Sequence, residues 1–143
     1  MTENGCLLCR VEDADAYFGR RRVWEDAYWR LSVVMHGAVV GFAHLEPHRH
    51  LPAITDLDGV EAVTLGPALA RTADALRTAA RADKVYVYVF GDRVPHLHFN
   101  LAPSMVDSPL VGGRGLVREG APDIDPAVHR RVATAVADAL AAE

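Results

Sequence analysis

Residues 94–103 read Val-Pro-His-Leu-His-Phe-Asn-Leu-Ala-Pro, a nearly strict alternation of apolar and polar side chains. Successive side chains on a strand point to opposite faces, so His96, His98 and Asn100 project one way and Leu97, Phe99 and Leu101 the other. Neighbours on one face lie about 7 Å apart. The apolar set can join a core, leaving two imidazoles and a carboxamide in a row on the opposite side. A polar group buried without a partner costs roughly 1–3 kcal/mol. Histidine at alternate positions is also an unusual way to build a wet face. The stretch is therefore read as a functional strand. Just upstream, residues 84–90 alternate Val85, Val87 and Val89 with Tyr86, Tyr88 and Phe90. The turn at Gly91-Asp92-Arg93 makes the two strands an antiparallel pair.

The remaining chain supplies what such a pair packs against. Residues 23–29 and 30–35 are expected as two strands around a turn at Glu25-Asp26, and residues 39–45 as a third strand that Pro47 ends. The basic run Arg20-Arg21-Arg22 reads as a solvated turn. Asp58 is an N-cap candidate, with Glu61 as its capping partner, for a long helix reaching about Ala82. Its apolar face would carry Val60, Val63, Leu65, Leu69, Ala73, Leu76 and Ala80, with a kink or break at Gly66-Pro67. Residues 104–123 are a glycine-rich loop. Asp125 followed by Pro126 starts a C-terminal helix. The expected class is α+β: an antiparallel sheet of about five strands, one long helix packed on it and a C-terminal helix. At 143 residues, half of them hydrophobic, the chain is expected to form one domain over residues 1–143.

Net charge is −4, which leaves no electrostatic footprint for nucleic acid. No apolar run reaches the length of a membrane span, and residues 1–5 lack the basic start and apolar stretch of a signal peptide. A cytoplasmic setting is expected, in which Cys6 and Cys9 are thiols or metal ligands rather than a disulfide. Cys-x-x-Cys alone fits a redox dithiol, half a zinc site or two small buried residues. No strand precedes it as in a thioredoxin-like unit, so half a zinc site is preferred. Zinc takes four ligands from thiolate and imidazole. The other two would come from among His36, His44, His48, His50, His96, His98 and His129, and spacing does not choose. His44, within a strand, reads as packed; His129, in the last helix, reads as a surface residue.

Three motifs in order, Cys6-x-x-Cys9, the run from Gly41 through Pro47-His48-Arg49-His50, and Val94-Pro95-His96-Leu97-His98-Phe99-Asn100, resemble the histidine-triad superfamily. The resemblance covers residues 6–103; residues 104–143 carry little of it. It implies that His98, the middle position of the signature, is a nucleophile. It also implies a structural zinc on Cys6, Cys9, His50 and His96. The implied activity is that of a nucleotide hydrolase, phosphoramidase or nucleotidyltransferase working at the α-phosphate through a covalent His98 intermediate. The alternative is a zinc-stabilised nucleotide-binding or regulatory module with little catalysis. A homodimer is expected by analogy. Imidazole suits such chemistry, because its neutral form is abundant near pH 7 and nucleophilic when its other nitrogen is held by an acceptor.

The sequence departs from the family pattern at three places. Asn100 stands where the third histidine usually lies, although the galactose-1-phosphate uridylyltransferase branch carries Gln there. Gly91-Asp92-Arg93-Val94 replaces the usual Gly-Gln-Ser/Thr-Val, with Arg93 able to offset Asp92 at a phosphate. Val34 falls where the family places its ribose-binding aspartate. Asn100 and Arg93 are the expected substrate contacts, with Arg114 a weaker candidate.

Overall fold

The computed structural model describes residues 5–111 and 116–142. The elements in chain order are α1 (Val11–Phe18), β1 (Arg20–Glu25), β2 (Trp29–Val34), β3 (Ala43–Pro47), α2 (Gly59–Ala80), β4 (Lys84–Tyr88), β5 (Phe99–Ser104), β6 (Leu110–Val111), β7 (Leu116–Val117) and α3 (Pro126–Ala141). Strands β1 to β5 form one sheet in the order β1-β2-β3-β5-β4, every neighbouring pair antiparallel; β6 and β7 form a separate ribbon. The expected α+β architecture is observed.

Alternation along the central strands sorts the two faces of the sheet. Trp29, Leu31 and Val33 of β2, Ala43 and Leu45 of β3, and Phe99 and Leu101 of β5 join one core. Ala68, Ala75 and Leu76 of α2 and Val132, Ala133, Val136 and Leu140 of α3 close it. At about 25 cal/mol per Å² of apolar surface removed from water, this layer is the main source of stability. The intervening residues, Arg30 and Ser32 on β2, His44 and Glu46 on β3, and Asn100 on β5, are buried on the other face. A small second cluster covers part of that face, built from Cys6, Leu8 and Ala14 with Phe18 and Val94 against them. The polar face thus lies under the N-terminal segment.

Several boundaries differ from expectation. The first two strands begin earlier, and the basic run is not a solvated turn: Arg20 to Arg22 lie in β1, and Arg20 is buried. The third strand starts at Ala43, because residues 36–41 form bends and a turn. Helix α2 runs unbroken through Gly66-Pro67. Pro67 removes the hydrogen bond to the carbonyl of Val63, but Val63 is exposed, so water can satisfy that oxygen. Val60 is exposed too, and the buried stripe is Ala68, Thr72, Ala75 and Leu76. Asp58 makes no side-chain cap bond and instead accepts from Arg49. His129 is fully buried, its Nε2 donating to the Gly37 carbonyl at 3.0 Å. Strand β4 ends at Tyr88. The ladder of β5 begins only at Phe99, since upstream the Leu97 amide bonds the Leu51 carbonyl at 2.7 Å instead.

Candidate metal centre and active-site cleft

Cys6, Cys9, His50 and His96 converge, with one donor atom from each lying within 4.8 Å of the others. The Sγ of Cys6 is 3.5 Å from His96 Nδ1, and that of Cys9 is 3.4 Å from His96 Nδ1 and 3.2 Å from His50 Nδ1. Tetrahedral zinc, with sulfur at about 2.3 Å and nitrogen at about 2.0–2.1 Å, holds such atoms about 3.5 Å apart. The residues present therefore fit the ion. Cys6 and His96 are fully buried, and the two cysteines are not joined in a disulfide. His96 Nε2 donates to the Pro47 carbonyl at 2.9 Å, which fixes the tautomer and leaves the Nδ1 lone pair to the cluster. Burial lowers the His96 pKa and favours the neutral imidazole that a metal requires. Arg30 of β2 ties the Cys-x-x-Cys loop to the sheet by donating to the Leu8 carbonyl.

Beside this cluster lies a cleft of about 770 Å³. His98 and Asn100 form part of its floor. Gly5, Leu7 and Arg10 bound it from the N-terminal segment, Tyr17 and Phe18 from α1, and residues 90–94 from the loop before the histidines. His98 Nδ1 donates to the His96 carbonyl at 2.8 Å. That bond places the proton on Nδ1 and leaves the ring's lone pair on Nε2. Because His96 is gripped by the cluster and by Pro47, its carbonyl is a fixed anchor for the His98 ring. Asn100 Nδ2 donates to the Tyr88 carbonyl at 3.2 Å across the β4–β5 pair.

No protein-family model matches the sequence, and no curated protein matches it. Solved structures do match. A zinc-bound histidine triad family protein from Mycobacterium smegmatis superposes with a TM-score of 0.72 at 20% identity, covering 99% of this chain and 100% of that one. A hypothetical histidine triad nucleotide-binding protein from Sulfolobus tokodaii gives 0.72 at 14% identity over 96% and 93% of the two chains. A Hit-like protein involved in cell-cycle regulation from Bartonella henselae gives 0.68 at 20% identity over 95% and 97%. The chain has the histidine-triad fold.

Within the histidine-triad fold, Cys6, Cys9, His50 and His96 come together in one cluster, and His98, Asn100 and Arg93 all line one cleft. Val34 and Asp92 line that cleft as well, so the wall beside Val34 is apolar. Arg114 lies outside the described residues. His48 stands apart from the metal cluster: its Nε2 donates to the Asp26 carbonyl at 2.9 Å and its Nδ1 accepts from Arg30 at 3.3 Å.

Sequence reasoning missed a buried charge network on the same face. Arg20 donates twice to Glu46, at 3.0 and 2.7 Å, and once to Asp15 at 2.7 Å. Arg30 donates to Glu46 at 2.7 Å. Burial alone would raise the Glu46 pKa, but the bonds and charges of Arg20 and Arg30 overcome it and hold the carboxylate below its ordinary value. Arg20 also donates from Nη1 to His44 Nδ1 at 3.0 Å. Burial first, then the neighbouring Arg20 charge, lowers the His44 pKa to about 3. A usable signal was the alternation Ala-His-Leu-Glu-Pro along β3, the same polar–apolar rhythm that singled out residues 96–101.

Proposed function

We propose that this chain is a zinc-containing nucleotide-conjugate hydrolase or nucleotidyltransferase, acting at the α-phosphate through a covalent intermediate on His98. The observation that carries the reading is the 2.8 Å bond from His98 Nδ1 to the His96 carbonyl, which leaves Nε2 as the lone pair of a residue that lines the cleft. In the first step His98 Nε2 forms a bond to phosphorus as the bond to the leaving group breaks. In the second, water or another acceptor attacks the same phosphorus and frees His98. Arg93 and Asn100 contact the substrate, Arg93 with a positive charge for the phosphoryl oxygens. Zinc on Cys6, Cys9, His50 and His96 is structural: it holds the N-terminal wall of the cleft and pins His96, so aiming His98. The zinc-bound and nucleotide-binding relatives of the same fold support the metal and the substrate class. No helix among the described residues is long and apolar enough to cross a membrane, and the thiol pair suits a reducing cytoplasm. A homodimer through the β4 edge completes the reading.

The second reading, a binding or regulatory module, is favoured by two observations. Val34 offers no acceptor for ribose hydroxyls, and Asn100 already spends one donor on the Tyr88 carbonyl. Turnover of adenosine 5′-phosphoramidate, dinucleoside polyphosphates and nucleoside diphosphate sugars separates the two. The enzyme reading expects a mass increment on His98 and loss of turnover by orders of magnitude in His98→Ala, with zinc content and folding unchanged. No turnover in wild type would leave the binding module, whereas equal turnover in wild type and His98→Ala would rule out His98 as the nucleophile.

A further inference from the structure

Besides His98 the cleft is lined by His36 and His44, and the reading above has no use for the second of these. His44 sits directly across the ladder from Asn100. Its ring meets that of His98 edge to face, with centroids 5.8 Å apart. It is only 6% exposed, yet it lines the cleft. Phe18 and Phe42 flank it, each edge to face, at 5.3 and 5.5 Å. Arg20, which has no lone pair to offer, donates to Nδ1 at 3.0 Å. Nδ1 must therefore be the acceptor, which places the ring proton on Nε2. Arg20 lies on β1, two strands away on the side opposite β5, and with Nδ1 taken by Arg20 the Nε2–H is the donor this ring has left to offer beside His98.

We propose that His44 is a further catalytic residue: it donates a hydrogen bond from Nε2–H to an oxygen of the phosphoryl group that His98 attacks, while Arg20 positions it by capping Nδ1. The proposal rests on the His98 reading. Reacting atoms about 3–3.5 Å apart, with a hydrogen bond of about 2.7–3.2 Å, let one phosphoryl group touch both rings at the observed separation. One of the two Asn100 amide N–H groups is taken by the Tyr88 carbonyl, so Asn100 can add at most one donor beside His44. Since His44 is held neutral at ordinary pH, it is a fixed donor and not a proton source. As the N–P bond forms at His98 Nε2 and the leaving group departs with its electron pair, to be protonated by solvent, His44 keeps its proton. A neutral imidazole that polarises an oxygen in this way is a known catalytic device. Arg20 is itself held by Glu46 and Asp15, so the donor is oriented before substrate arrives.

Two measurements on the zinc-loaded full chain test this. Nitrogen-15 NMR of the histidine rings should find His44 as the Nε2–H tautomer. Its Nε2–H resonance should move on saturation with adenosine 5′-monophosphate, in wild type and in His98→Ala alike. An Nδ1–H tautomer, or a resonance that does not move, would overturn the proposal whatever becomes of His98. Kinetics with adenosine 5′-phosphoramidate should show kcat for His44→Phe lower by about 10²–10³-fold with KM little changed, the usual loss for one preorganised donor. His44→Gln, which keeps a donor at a similar reach, should recover most of the rate. Unchanged kcat in His44→Phe, or equal loss in both variants, overturns the donor role. Turnover persisting in His98→Ala would instead sink the nucleophile reading, leaving the NMR result to decide His44.

Discussion

His44 and Glu46 occupy the middle strand of the sheet, where burial is close to complete. Burial and then Arg20 keep His44 neutral, while Arg20 and Arg30 keep Glu46 charged against its burial. For His44 the ordinary value of 6.5 falls to about 3. Between these values the unfolded chain binds a proton that the folded chain refuses. The contribution is therefore fully present above pH 6.5 and is lost as pH falls toward 3, at up to about 1.4 kcal/mol per pH unit. Urea unfolding of wild type and His44→Phe compared from about pH 7 down to pH 5, above most carboxylate titration, should show a steeper loss in wild type. Parallel curves would mean that His44 titrates normally. Glu46 adds a second loss below its ordinary 4.5, as pH falls through its lowered folded value. His96, His98 and Asn100 are legible from alternation itself, whereas His50, and the pairing of His96 with the two cysteines, are legible only through motif order. Arg20 was misread because three consecutive arginines look solvated when their partner, Glu46, lies 26 residues away. His129 was misread for the same reason: its acceptor, the Gly37 carbonyl, is 92 residues away. Tertiary partners of buried polar groups leave no local trace.

The N-terminal segment and α1 have little apolar core of their own, resting on Cys6, Leu8 and Ala14 with a few partly buried neighbours. Their attachment to the sheet therefore depends on the cysteine–histidine cluster, on the bond from Arg30 to Leu8 and on the pairing of Asp15 with Arg20. Removing zinc with a chelator, or replacing Cys6 with Ser, should make residues 5–18 the first site of proteolysis while the sheet and α2 stay protected. Unaltered resistance there would contradict a structural metal. Strands β2, β4 and β5 were read correctly in kind because their alternation is strong. Their ends slipped by a few residues wherever a turn carbonyl, such as that of Leu51, took the hydrogen bond a ladder would have used. Helix α2 was expected to break at Pro67, and it does not. Sequence shows the missing N–H but not that the carbonyl it abandons faces water.

The sheet has two edges, and they differ. On β1 a register irregularity between Arg22 and Trp24, together with exposed arginines, blunts one edge. On β4 the side chains include exposed Val87, while α2 exposes Val60 and Val63, so this is the edge open to a second copy of the chain. Sedimentation should give twice the 15.5 kDa chain mass, and Val87→Lys should return it to one. A monomer in wild type would rule the pairing out. The cluster also has a consequence for synthesis. Cys6 waits 90 residues for His96, and Cys9 waits 41 for His50. At about 5–20 residues per second, a growing chain carries both thiols uncovered for several seconds before their last partner exists. The Cys-x-x-Cys segment is thus among the last parts to be seated, and the wall it forms closes the cleft only after its floor has been made.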